Sequence, residues 1–337
     1  MTEVRVIYIG GDGRSGSTLL DLMLGQLPGF VAVGELNYIW ERGLLKNEPC
    51  GCGSPFRECP FWRDVGAEAF GGWETVDLPE LLRLEQSVTR LRHWPLLMVS
   101  RLLPRLHREA VTYAHHMERL YLAIARVSGS QYVVDSSKNP CLALLLRLMP
   151  GVRPRIVHMV RDSRGVAFSW RRRVLRSEAL AGSADAYMPT FTSWESGLVW
   201  TVKNLQHDVM KARGIPHLFL RYESLVADPR SEMERLLSYS GAATDLAVSF
   251  LDNGQFDFGP NHTVSGNPLR FKRGGVSLQI DDEWRRAMTG GERRRVVLLT
   301  WPLLLAYGYI GLRPGRAGAP YSRAVAETSD RAEEPLA

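Results

Sequence analysis

Four cysteines in a chain of 337 residues are too few to staple it, which removes the disulfide-framed secreted folds. No internal repeat is visible, so stacked-repeat architectures are removed as well. The amino terminus, Met1 to Arg5, runs directly into an apolar strand with no charged leader, apolar h-region or cleavage site. The expected compartment is therefore the cytoplasm. Long apolar runs are missing too. Val296 to Leu312 comes nearest, but it is somewhat short for a span and is interrupted by Trp301-Pro302, Tyr307-Gly308 and Gly311. A buried carboxy-terminal helix is expected there and no transmembrane span, with contact at a membrane surface left open.

What is present suits a folded enzyme. Hydrophobic residues make up 45% of the chain, enough for a sizeable core. The balance of 42 basic against 36 acidic residues, a net charge of +6, fits an anionic ligand. Much of the excess is local, in Arg171, Arg172, Arg173 and Arg176 and again in Arg293 to Arg295. The first cluster lies beside a candidate anion site that begins at Arg161, so a small anionic cofactor is expected and no nucleic-acid partner.

Four segments read as strands that each open a helix: Val4 to Ile9, Gln131 to Asp135, Arg155 to Val160 and His217 to Tyr222. A shorter run, Phe30 to Val33, ends in Gly34-Glu35-Leu36. The repetition predicts an α/β fold with a P-loop-like parallel sheet flanked by helices. In such sheets ligands bind outside the carboxyl ends of the strands. That rule gathers Arg14, Glu35, Lys138, Arg161 and Tyr222 at one edge.

Residues 41–127 read as a cysteine loop and a helical insertion over the site. Leu81, Leu84 and Leu91, then Tyr113, Met117, Leu120, Tyr121 and Ile124, recur at helical spacing, with breaks at Pro95 and Pro104. Trp94, Tyr113, Tyr121 and Phe191 are candidates for an apolar acceptor pocket, set against ordinary core packing. One domain is expected over 1–312, with a basic, mobile loop at Gly266 to Gly275 and a disordered tail over 313–337. Cys50, Cys52 and Cys59 share one Gly/Pro-rich stretch. A zinc knuckle needs four ligands, usually in CxxC pairs, whereas the spacing here is CxC with no nearby His. A loop with small apolar thiols is the plain reading. A disulfide from Cys59 to Cys50 or Cys52, or a metal completed from elsewhere in the chain, stays open.

The most specific segment is Gly10-Gly11-Asp12-Gly13-Arg14-Ser15-Gly16-Ser17-Thr18, between the first strand and a helical run from Leu19 to Leu27. Gly11, Gly16 and Thr18 match the GxxxxGK[ST] phosphate loop, but Ser17 stands where that pattern carries Lys. Converging N–H groups and the following helix N-terminus still favour an anion. The cation that would reach a γ-phosphate is gone, and Arg14 supplies one a turn earlier. A second anion site is read from Arg161-Asp162 onward. Arg161 ends a strand, Ser169 lies about two helical turns on, and Arg173 follows one turn later on the same face. A guanidinium fork and a hydroxyl can hold a second phosphate. Two such sites suggest a nucleotide with phosphates at both ends of its ribose.

Gly13 to Leu20, taken with Arg161-Asp162 and Ser169, resembles the two signatures of sulfotransferases that use 3′-phosphoadenosine 5′-phosphosulfate (PAPS). Arg221 to Pro229 is similar to that family's tyrosine-glutamate-x-leucine segment, and the resemblance runs from residue 4 to roughly 310. It implies that Gly13, Arg14, Ser15, Gly16, Ser17 and Thr18 hold the 5′-phosphosulfate. It also implies that Arg161, Ser169 and Arg173 hold the 3′-phosphate, with Tyr222 and, from the late basic segment, Arg270 beside them. The histidine motif of cytosolic sulfotransferases is missing, and those enzymes carry Lys where Arg14 stands. The chain looks closer to the branch that includes tyrosylprotein sulfotransferases, which implies Glu35 as catalytic base and Lys138, before Asn139-Pro140, as a catalytic cation.

The chemistry agrees with those roles. Sulfuryl transfer, like phosphoryl transfer, passes a group in line between two oxygens while the protein positions it and neutralises charge. A hydroxyl acceptor must lose a proton, for which Glu35 is the candidate base. Lys138 and Arg14 can stabilise the developing charge, so this chemistry demands no metal. Ser136 and Ser137 can donate hydrogen bonds or cap the next helix. His158 reads as a core residue, His262 as a reserve base, and His115 and His116 as acceptor contacts. The expected activity is sulfuryl transfer from PAPS to a hydroxyl or phenol of a small molecule, lipid or glycan. A P-loop nucleotide kinase or phosphotransferase and a non-enzymatic nucleotide-binding module are the alternatives.

Overall fold

The computed structural model describes residues 3–177, 180, 186–244 and 255–311; the tail expected over 313–337 lies outside the described residues. Strands β1 (Val4–Gly11), β2 (Phe30–Ala32), β3 (Tyr132–Asp135), β4 (Val152–Val160) and β5 (His217–Arg221) form one sheet in the order β2-β3-β1-β4-β5. Every pairing in it is parallel. Ile7 on β1 lies opposite Val134 on one side and Arg155 on the other. Two short strands, β6 (Gln255–Phe258) and β7 (Gly274–Ser277), pair antiparallel apart from this sheet.

The helices come in chain order. Helix α1 (Ser17–Leu24) follows β1, and the β2-to-β3 connection carries α2 (Pro60–Phe70), α3 (Leu78–Val88), α4 (Trp94–Met98) and α5 (Pro104–Ser128). Helix α6 (Pro140–Leu145) follows β3, and α7 (Ser163–Trp170) and α8 (Ser193–Ala212) follow β4. Helices α9 (Tyr222–Ala227) and α10 (Pro229–Ser240) follow β5, and α11 (Trp284–Ala287) and α12 (Gly290–Ala306) come last. Among the described residues no helix is long and apolar enough to cross a membrane.

Successive side chains of a strand point to opposite faces, and because both faces of the sheet are covered, β1 is apolar except at the exposed Arg5. Val4, Val6 and Tyr8 point into one core cluster and Ile7 and Ile9 into another. Helix α5 supplies Tyr113, Met117, Leu120, Tyr121 and Ile124 to the first cluster, all fully buried. Each such side chain contributes about 1.5–3 kcal/mol of burial free energy. The insertion is therefore mainly a layer on one sheet face. Trp94, Tyr113 and Tyr121 belong to that core and do not line an acceptor pocket. The segment expected as a mobile basic loop contains a 3₁₀ turn, Pro268–Phe271, capped by the Asn267 side chain, and then β7.

Candidate active site

Because the five strands are parallel, their carboxyl ends share one edge, and the sheet order sets which loops are neighbours there. Glu35 comes after β2, Lys138 after β3, the glycine loop after β1, Arg161 after β4 and Tyr222 after β5. All five positions line one cleft of about 450 Å³. Glu35 and Lys138 thus stand on one side of the loop, Arg161 and Tyr222 on the other.

The loop is built for close approach. Arg14 and Gly16 take left-handed backbone angles, with φ of 63° and 88°. A Cβ at Gly16 would lie 2.5 Å from the Tyr222 ring, so glycine is required there twice over. Gly13, Arg14, Gly16, Ser17 and Thr18 line the cleft. Ser15 is turned away, its hydroxyl donating to the Asp12 carbonyl at 2.5 Å.

The Arg14 guanidinium stacks over Trp170 at 4.8 Å. Its Nε and Nη2 are buried and have no hydrogen-bond partner among the described residues. Burial pulls its pKa down, Glu35 pulls it up and Arg161 pulls it down again, leaving it lowered. A buried cation with unmet donors is costly unless an anion meets it.

Glu35 follows β2 and opens a 3₁₀ turn. Its Oε1 accepts from Lys138 Nζ at 2.7 Å, with side-chain exposures of only 13% and 9%. Burial pushes the Glu35 carboxyl up, but Lys138, Arg42 and Arg270 outweigh it and hold the group below the usual carboxylate range. Lys138 sits at a φ of 60° and also donates to the Ser136 carbonyl at 2.6 Å. Two of its three N–H bonds are thereby used.

The loop before Lys138 is fixed from beneath. Asp135 Oδ1 accepts from the Ser137 backbone N–H at 2.8 Å and from the Ser137 hydroxyl, while Asn37 N–H donates to Ser137 Oγ at 2.9 Å. The helix cap expected of Ser136 or Ser137 is instead made by Asn139, whose side chain accepts from Cys141 and Leu142 N–H. Burial pushes Asp135 up to about 6 against the hydrogen bonds from Ser137 and Tyr121.

On the other side, Arg161 donates to the Arg14 carbonyl at 3.2 Å, pairs with Asp281 Oδ2 at 3.0 Å and stacks on Tyr222 at 4.7 Å. Ser169 lines the cleft with it. Arg173 and Arg270 are not brought to the cleft. Helix α7 stops at Trp170, so Arg173 leaves the face of Ser169 and stacks on Tyr187 at 3.8 Å. Arg270 is buried, donating to the Thr263 and Pro49 carbonyls at 2.6 and 2.8 Å. His158 is buried against Asn204, and burial lowers it to about 4. His262 sits among the cysteines, and His115 and His116 do not line the cleft.

Several lining residues escaped the sequence reading, among them Tyr38, Arg42, Lys203 and Asp281. Lys203 pairs with Asp12 at 3.1 Å, and that attraction overcomes burial to raise its pKa. The one sequence signal was spacing. Lys203 and His207 share a helix face, and His207 Nε2 accepts from Gly11 N–H at 3.1 Å.

The pattern described as "Sulfotransferase family" matches residues 6–245. No curated protein matches the chain. Among solved structures, the sulfotransferase domain of the Synechococcus PCC 7002 olefin synthase is similar at 16% identity and a TM-score of 0.48, over 90% of this chain and 95% of that one. The sulfotransferase domain from the curacin biosynthetic pathway is similar at 17% identity and a TM-score of 0.48, over 88% of this chain and 96% of that one. A sulfotransferase from Alicyclobacillus acidocaldarius is similar at 12% identity and a TM-score of 0.35, over 90% and 98%. The family match begins in β1 and ends past α10, taking in all five strand ends that build the cleft; the chain belongs to the sulfotransferase family and is a transferase of that type.

Proposed function

We propose that the cleft takes PAPS and passes its sulfuryl group to a hydroxyl or phenol of a small molecule, lipid or glycan, with Glu35 as the base. One observation carries the reading: Arg14 offers buried, unmet donors beside a glycine loop that lacks the Lys of a triphosphate site. When bound, PAPS supplies a sulfuryl group whose bond to the bridging phosphate oxygen breaks as the bond to the acceptor oxygen forms. Glu35, kept ionised by Lys138 and Arg42, accepts the acceptor's proton. Lys138 offers its remaining N–H, and Arg14 its free nitrogens, to oxygens that gain charge. Arg161 and Ser169 supply the fork and hydroxyl for the 3′-phosphate. Arg173 and Arg270, engaged elsewhere, are left out of that set.

Calorimetry with adenosine 3′,5′-bisphosphate and with ATP tests the donor. The bisphosphate should bind at least about tenfold more tightly, a difference of about 1.4 kcal/mol; equal binding would overturn the reading. Glu35→Gln should cut turnover by about 10²–10⁴-fold while bisphosphate binding holds, and preserved turnover would remove Glu35 from the role of base.

A further inference from the structure

The cleft gives the clustered cysteines no task, and the chain spends three of its four there. We propose that Cys50, Cys52, Cys59 and His262 form a structural zinc site that clips the late segment around residue 262 to the cysteine loop. His262 arrives from far along the chain. Its Nδ1 lies 3.3 Å from Cys59 Sγ and 3.8 Å from Cys50 Sγ, and the Cys52 and Cys59 sulfurs are 3.7 Å apart. The four ligand atoms all lie within 4.8 Å of one another. Tetrahedral zinc, with Zn–S of about 2.3 Å and Zn–N of about 2.0–2.1 Å, sets S···S edges of about 3.8 Å and S···N edges of about 3.5 Å. The S···N separations of 3.3 and 3.8 Å and the S···S separation of 3.7 Å lie within about 0.3 Å of those edges, and a modest contraction of the remaining pairs, all within 4.8 Å, would close the tetrahedron.

The donor set selects the metal class. Three thiolates and an imidazole suit zinc and not the oxygen-seeking magnesium or calcium. Four protein ligands leave no open position, which makes the site structural and not catalytic. A disulfide between Cys52 and Cys59 would use neither Cys50 nor the imidazole, whereas the metal uses all four groups.

The surroundings hold the ligands in place. Gly51 N–H donates to the Thr263 carbonyl at 2.9 Å, and a Cβ on Gly51 would fall 1.9 Å from Asn261 Oδ1. The residue between the first two cysteines must therefore be glycine for the two segments to close. Cys59 directly precedes α2, whose positive end favours a thiolate. The Phe61 ring stacks on His262 at 4.6 Å, and Trp62 Nε1 donates to the His262 carbonyl at 2.9 Å. Such outer contacts orient a ligand.

The clip reaches the cleft through the backbone. Two residues beyond His262, Val264 N–H donates to the Val33 carbonyl at 2.9 Å, and Glu35 N–H donates to the Ser265 carbonyl at 3.3 Å. Losing the ion should loosen the strip that flanks Glu35.

Elemental analysis of the full chain, produced with zinc in the medium and purified under reducing conditions, should find about one zinc per chain. Chelation followed by cobalt(II) should give the visible d–d bands and the thiolate-to-cobalt charge-transfer band of a tetrahedral site. Cys52→Ser and His262→Ala should each lose stoichiometric zinc. If either variant fails to fold, the zinc content and cobalt spectrum of the native chain decide alone. The proposal is overturned by native protein that carries no zinc and gives no tetrahedral cobalt spectrum. It is equally overturned by a Cys52–Cys59 disulfide in protein purified without reductant, or by zinc that survives both substitutions. None of these readouts depends on sulfuryl transfer.

Discussion

At Glu35 two opposed effects set the chemistry. Burial alone would push the carboxyl up, and the neighbouring cations pull it down further than burial raises it. The carboxylate therefore persists through neutral pH, and turnover should fall only below the ordinary Glu value of about 4.3. Lys138→Met removes the strongest attraction and leaves only Arg42 and Arg270 to oppose burial, so the Glu35 pKa should rise. The acid limb of kcat/KM should move toward neutral pH by more than about one unit. A limb that stays in place would show that Lys138 is not what holds Glu35 ionised. The sign for stability comes from the same shift. A depressed carboxyl contributes stability above its unfolded pKa and loses it as pH falls through the folded value. The Lys138→Met variant gives up that contribution at neutral pH, and stranding one partner of a buried pair costs about 3–5 kcal/mol. Denaturant unfolding at neutral and acid pH measures both effects.

At the scale of elements, the ends of strands were the readable part. A parallel sheet sends every loop of one kind to one edge, so the residues after Val33, Asp135 and Val160 group together on sequence alone. What escaped was set by contacts far apart in sequence or by where a helix stops. Arg173 shares a face with Ser169 only if α7 runs on past Trp170, and it does not. Beyond it Arg171 pairs with Glu292 and Arg172 with Glu283, so most of the arginine cluster is matched locally. Asp281 follows β7 by only a few residues, and nothing in its surroundings in the sequence marks a partner for Arg161. That pair carries a prediction of its own. Asp281 accepts from the arginine proposed to hold the 3′-phosphate and adds negative charge to an anion site. Asp281→Asn should tighten adenosine bisphosphate binding several-fold, about 0.5–1 kcal/mol for a partly exposed pair. Weaker binding by calorimetry would mean that Asp281 orients Arg161 instead of competing for it.

Across the whole molecule, the insertion that covers one sheet face also supports the cleft from behind. Tyr121, buried toward the carboxy-terminal end of α5 and absent from the cleft lining, donates to Asp135 Oδ2 at 2.5 Å. Asp135 in turn receives the Ser137 backbone and side chain, and Lys138 follows. With burial holding Asp135 up to about 6, that hydrogen bond is part of what keeps it ionised. Because the folded value is raised, keeping the ionised form buried costs stability that grows as pH rises through it. Tyr121→Phe removes a donor and should destabilise the fold by about 1–3 kcal/mol. It should also shift Asp135 further upward, so that part of the population is protonated at neutral pH and the Ser137 contacts weaken. Turnover should then fall at neutral pH and recover as pH rises, while bisphosphate binding stays constant. A stability loss with a turnover profile unchanged from the native enzyme would reduce the α5-to-Lys138 chain of contacts to packing alone.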